Sequence, residues 1–160
     1  MTYCAKISAI TLLYGSVSAF AAGGGGGDVS ANTRAPADPV VATAQAAIAQ
    51  KDWTGAQNGL QQALAANPQN ADYHNLYAYS LRMGSNPNMA LVFAHYEDAL
   101  RINPKHRAAH EYVGEAYLMV SDLPKAKQHL DALNKLCFLP CEEYSDLKKA
   151  VASYEASHKP

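Results

Sequence analysis

Residues 44–70 read AQAAIAQKDWTGAQNGLQQALAANPQN, and residues 95–106 read HYEDALRINPKH. The first closes on Ala63-Leu64-Ala65-Ala66-Asn67-Pro68; the second, 36 residues further on, closes on Ala99-Leu100-Arg101-Ile102-Asn103-Pro104. In both, apolar residues recur at helical spacing up to an Asn-Pro pair. Proline lacks the amide hydrogen that a helix interior needs and biases the residue before it toward extended backbone, so each helix stops there. The same ending at this distance marks an internal repeat, one helical unit used more than once.

Working outward, turn signals fall at Lys51-Asp52, Asn67-Pro68, Gly84 to Asn88, Asn103-Pro104, Ser121-Asp122-Leu123-Pro124 and Leu139-Pro140. The segments between them run 12 to 17 residues and hold no convincing alternating pattern, which predicts seven helices in antiparallel pairs with short connections. With repeats starting at Ala37, Ala71 and Arg107, the small residue where two helices cross is Ala44, Ala78 and Gly114. The residues just before it are Thr43, Tyr77 and Val113, and Ala47, Leu81 and Tyr117 follow near the helix end. In the second helix Ala56 and Ala126 precede Leu60 and Leu130; two extra residues in the 84–88 turn move the counterparts in the middle repeat to Val92 and Tyr96. A small side chain lets helices approach closely and a bulky one fills the groove beside it.

Three such units in register resemble the tetratricopeptide repeat, a helix pair with a period of about 34 residues and a terminal Pro. The resemblance implies an all-α fold: three antiparallel helix pairs stacked as a short right-handed α-solenoid with a C-terminal capping helix. The repeats fall at 38–70, 71–106 and 107–140, and the cap at 141–158. The cap carries Tyr144, Leu147, Val151 and Tyr154 at helical spacing, with Lys148, Lys149 and Glu155 pointing away, and it would cover the apolar face that a last repeat leaves open. Some positions depart from the pattern. The usual first-helix Trp is replaced by Val40, His74 and His110; repeat one is poor in large side chains, which predicts loose packing; and repeat three ends on Cys137-Phe138-Leu139-Pro140.

The N-terminus reads differently. Lys6 closes a short polar start, an apolar run follows from Ile7 to Phe20, and Ala19-Phe20-Ala21 supplies the small-x-small pattern of a cleavage site. The run is shorter than the roughly 20 residues a membrane-spanning helix needs. Residues 1–21 are therefore expected to be a signal peptide, leaving an exported chain, most simply a periplasmic protein of bacterial type, with no membrane insertion after cleavage. Residues 22–37, with five consecutive glycines and two flanking prolines nearby at 36 and 39, read as a flexible linker. The glycine run lacks the GK[ST] ending, the strand and the helix of a phosphate-binding loop.

Thirteen Lys/Arg against fourteen Asp/Glu leave the 160-residue chain near neutral, and charged residues make up only 17% of it. No dense basic stretch is present to neutralise phosphates, which excludes an electrostatic nucleic-acid binder. No GxSxG elbow, HExxH helix or isolated carboxylate pair appears, so the expected protein is not an enzyme and needs no cofactor. Leader cleavage removes Cys4 and leaves Cys137 and Cys141, an even count in an oxidising compartment, from which one disulfide is expected. Their C-x3-C spacing lacks the C-x2-C redox form and a second pair for zinc, yet a metal-handling or thiol-redox accessory is the competing functional reading. His106 and His110, four apart, would share a helix face as a weaker metal pair, with Glu111 or Glu115 beside them. The plainer reading is packing, since His110 stands at the same repeat position as His74. His95, His129 and His158 read as scattered single residues.

The preferred reading is a non-enzymatic scaffold or adaptor that binds a protein or peptide and helps assemble an envelope complex. The resemblance implies an inner groove lined by the first helix of each repeat. By this register its lining is Asp38, Val41, Gln45 and Ile48; Asp72, Asn75, Tyr79 and Arg82; and Ala108, Glu111, Glu115 and Leu118. The Lys/Asn/Arg peptide-carboxylate clamp of chaperone cofactors is represented only by Asn75 and Arg82 and is not carried over. The groove reads as mixed and rather acidic, with Tyr79 as its amphipathic anchor, suited to a partner with basic or polar residues near an apolar one.

Overall fold

A computed structural model describes residues 38–158; the expected leader and linker lie outside the described residues. Those residues form seven helices and no strand: α1 (Pro39–Ala49), α2 (Trp53–Ala66), α3 (Ala71–Met83), α4 (Met89–Ile102), α5 (Arg107–Met119), α6 (Leu123–Leu136) and α7 (Glu142–Ser157). The pairs α1/α2, α3/α4 and α5/α6 stack in sequence order as an α-solenoid, and α7 packs on both α5 and α6.

Local chemistry sets the helix starts. A side chain caps six of the seven N-termini: Asp38, Asp52, Asn70, Asn88, His106 and Asp122 each accept from a backbone N–H of the first turn. Each satisfies one of the donors a helix start leaves unpaired, worth about 1 kcal/mol apiece. In repeats one and three the turn between the paired helices places one residue in the left-handed region, Lys51 at φ 59° and Ser121 at φ 61°. The following amide then closes the turn, Asp52 N–H donating to Ala47 at 2.9 Å and Asp122 N–H to Tyr117 at 2.8 Å. Repeat two uses the longer 84–88 turn instead.

The core consists of three clusters, the first two joining a repeat to the inner helix of the next unit and the third joining repeat three to the cap. Ala44, Ala56, Leu60 and Leu64 pack with Tyr73 and Leu76; Ala78, Val92 and Tyr96 with Val113 and Ala116; and Ala126 and Leu133 with Leu147 and Val151. Leu60, Tyr96, Leu133 and Leu147 are fully buried, each removing enough apolar surface from water to contribute about 2–3 kcal/mol. Because every cluster draws on two neighbouring units, no repeat closes its own core, as a quasi-one-dimensional array requires. At Gly114 an added Cβ would stand 2.6 Å from Leu147 Cδ2, so α7 is seated where only a hydrogen fits.

Candidate functional site

The inner helices α3 and α5 carry the most unusual chemistry of the described residues. An arginine sits in the wall between them: Arg82 is only 6% exposed. Its Nη2 donates to Glu115 Oε2 at 2.8 Å, and its guanidinium lies 5.3 Å from the Tyr79 ring centroid and 5.9 Å from that of Tyr112. Burial works against the Arg82 charge, but Tyr96, Glu115 and Tyr79 more than offset it and raise its pKa. The rings form a run across three helices, Trp53 edge-on to Tyr79 at 6.3 Å and Tyr79 tilted against Tyr112 at 4.7 Å. Asn75, one turn before Tyr79, is 3% exposed. Its Oδ1, together with Arg82 Nε and the Tyr96 hydroxyl, is buried without a hydrogen-bond partner among the described residues.

Toward the cap the face turns acidic. Glu111 is buried, and its carboxyl is pushed up to about 8 by that burial and then by Glu115, Asp146 and Glu143. The Tyr112 phenol rises to about 12, first from burial and then from Glu111. Glu111, Glu115, Asp146 and Lys149 line an open cleft between α5 and α7.

The structure divides the remaining residues expected in the groove. Asp38 and Asp72 are engaged by side chains of neighbouring elements. Asp38 caps α1 and accepts from the Tyr73 hydroxyl at 2.8 Å, while Asp72 accepts from His106 Nε2 at 3.0 Å. Each hydrogen bond holds its carboxyl below the usual carboxylate range. Val41 and Ile48 pack against the first core cluster, Leu118 packs against the third, and Gln45 is exposed. Of the expected residues, the structure brings Tyr79, Arg82 and Glu115 into contact, with Glu111 beside Glu115 in the cleft and Asn75 one turn before Tyr79. Trp53 and Tyr112 join them without having been expected there. Tyr112 follows Glu111, and its place in the ring run depends on the distance between α3 and α5.

Cys137 and Cys141 are joined by a disulfide, their Cα atoms 5.9 Å apart, linking the end of α6 to the start of α7. Joined in this way, neither sulfur is a thiolate available to a metal. The bridge frames Phe138, fully exposed, and Leu139. His106 and His110 have separate partners. His106 accepts from Ala109 N–H through Nδ1 and donates through Nε2 to Asp72; His110 meets His129 and the Pro104 carbonyl.

No protein-family model matches the chain, and no curated protein matches it in sequence. Solved structures do match in fold. The TPR2B domain of yeast Sti1, solved in complex with pHsp70, superposes at a TM-score of 0.65 with 14% identity, covering 74% of this chain and 95% of that one. The first TPR domain of human RPAP3 gives 0.58 with 18% identity, covering 74% and 94%. A thermophilic TPR protein of Thermus thermophilus gives 0.62 with 18% identity, covering 76% and 66%. The chain thus has the fold of a tetratricopeptide-repeat domain.

Proposed function

We propose that this chain is an exported, periplasmic scaffold of bacterial type without catalytic activity. It docks a protein or peptide on the concave face of α3 and α5 and helps assemble an envelope complex. The observation that supports this reading most is the content of that face: Tyr79 and Tyr112 flank the buried Arg82 and its partner Glu115, beside an Asn75 oxygen that has no partner among the described residues. Burying an arginine and leaving polar atoms unpaired is costly for a surface that only has to fold. Aromatic and arginine side chains are also those that dominate interface energy. The cleft lined by Glu115 and Asp146 suits a basic residue on the partner, and the tyrosine rings suit an apolar side chain next to it. A complexed TPR domain such as that of Sti1 shows that this fold can hold a protein ligand.

The test is cross-linking in the native compartment with Tyr79→Ala, alone and combined with Glu115→Lys. Melting curves establish that both variants remain folded, because Glu115→Lys removes the counter-charge of Arg82. The expected result is loss of the cross-linked partner; a partner retained undiminished by folded variants rejects this face. An intact mass of the isolated protein starting at Ala22 is expected from export, and a mass that keeps residues 1–21 would reject it.

A further inference from the structure

Repeats two and three each contain a contact between two histidines, one from the inner helix and one from the outer. His74 Nδ1 lies 2.8 Å from His95 Nδ1, and His110 Nδ1 lies 3.0 Å from His129 Nδ1. The other ring nitrogens of His74 and His110 meet the carbonyls of Pro68 and Pro104 at 3.0 and 3.1 Å. A carbonyl only accepts, so Nε2 of His74 and of His110 carries the proton, and in the neutral rings Nδ1 offers a lone pair. This is how metal-bound histidines are held, the distal N–H tied to a carbonyl and the other nitrogen aimed at the ion. In the metal-free protein the lone pair is met by the Nδ1–H of His95 or His129.

The two pairs differ in one neighbour. In repeat two, Asp98 stands one turn beyond His95, and its Oδ2 lies 3.9 Å from His74 Nδ1. Its Oδ1 is held by Arg101 at 2.9 Å, which fixes the carboxylate with the other oxygen toward the histidines. Ligand atoms of His74, His95 and Asp98 all lie within 4.8 Å of one another. In repeat three the position of Asp98 is taken by Ala132.

We propose that His74 Nδ1, His95 Nδ1 and Asp98 Oδ2 form a binding site for one divalent transition-metal ion of the zinc class, and that the His110–His129 pair, lacking the carboxylate, is not a second one. Two imidazoles and a carboxylate are a common ligand set for such ions and leave a fourth position for water. Zn–N bonds of about 2.0–2.1 Å in a tetrahedron put the two nitrogens about 3.3–3.4 Å apart, so the rings must separate by roughly half an ångström. His95 is only partly buried and can give that distance by side-chain rotation. On binding, the His95 proton moves from Nδ1 to Nε2, and the site neither gains nor loses a proton overall. Arg101 is the cation nearest the carboxylate and is largely exposed, so solvent screens its repulsion of the ion. The site shares no residue with the concave face proposed for docking, so either can fail without the other.

The experiment is Zn²⁺ titration of the chain, purified without a polyhistidine tag, read by calorimetry and native mass. One ion per chain is expected. His95→Ala should abolish uptake. Asp98→Ala should weaken it by at least the about 10–100-fold that losing even an outer partner of a ligand costs. His129→Ala should leave it unchanged, and Ala132→Asp should raise the count toward two. No saturable uptake at tens of micromolar zinc, or uptake that His95→Ala and Asp98→Ala leave intact, overturns the proposal; so does loss in His129→Ala alone. If His95→Ala fails to fold, Asp98→Ala at its half-exposed position decides the outcome.

Discussion

Repeats one and two present the same crossing and opposite fillings. Ala44 and Ala78 occupy one repeat position and are both buried, letting their helices approach closely. Around them repeat one offers Val40, Thr43 and Ala47 where repeat two offers His74, Tyr77 and Leu81. The result in repeat one is an open cleft of about 270 Å³ between α1 and α2, lined by Val40, Thr43, Gly55 and Gly59 among others. In repeat two the space is occupied by rings, and it is there that the buried arginine, the central tyrosine of the ring run and the histidine–carboxylate cluster are found. The small residue at the crossing fixes the fold; the bulky ones around it decide whether a unit only stacks or also carries chemistry.

The sharpest test of that contrast is truncation at one repeat position in both units. Tyr96→Ala should destabilise by about 4 kcal/mol, because a fully buried ring in a packed cluster leaves a void its neighbours cannot close. Leu60→Ala should cost nearer to about 2 kcal/mol, since repeat one is already open on one side. Equal losses in urea denaturation would remove the distinction between the fillings. Gly114→Ala comes next: the added methyl meets both Cδ atoms of the fully buried Leu147, at 2.6 and 2.8 Å, and should cost about 1–3 kcal/mol. A melt unchanged from the parent would show that the cap moves aside freely.

Glu111 supplies a pH dependence. Its folded pKa of about 8 lies above its ordinary 4.5, so the folded state holds this proton more tightly than the unfolded one. The stability this confers is complete below about pH 4.5 and is lost as pH rises through about 8. Glu111→Gln cannot ionise; it should melt with the parent near pH 4.5 and about 4 °C or more above it at pH 9. Parallel curves across that range would refute the assignment. The smallest effect is expected at Gly59→Ala, where nothing lies within 4 Å of the new methyl. A helix-interior glycine there should give back about 0.5–1 kcal/mol, opposite in sign to Gly114→Ala; a loss would mean repeat one is less open than its cleft indicates.

Helix number and crossings were legible because they depend on local punctuation and on one small residue per repeat. Asn67-Pro68 and Asn103-Pro104 end helices for backbone reasons, and Ala78, Val92 and Tyr96 are buried as their repeat positions require, even across the longer 84–88 turn. The face was legible only in part. Asp38 and Asp72 fall on the expected positions, yet their carboxylates turn to Tyr73 of the next repeat and to His106 at the N-cap of α5. Periodicity fixes which side of a helix a residue lies on, not which neighbour its oxygen finds. The histidines show the same limit. His74 and His110 were recognisable as equivalent, while His95 and His129 read as isolated because each meets its partner across two antiparallel helices.

Helix α7 lies against α5 as the inner helix of a fourth repeat would, and it is drawn in more closely than α3 is, because Gly114 admits Leu147. In the language of polymers, α7 is a chain terminator. A regular repeat end is a template on which another unit, or another molecule, can add, and each addition leaves the template as it was. Here Leu147 and Val151 cover that end, and the outward side of the terminating helix carries Lys148, Lys149 and Ser153 in place of an apolar stripe. Gly114 thus lets α7 seat as a lid on the third unit, and adding a further repeat at that face would mean displacing α7 rather than building on it.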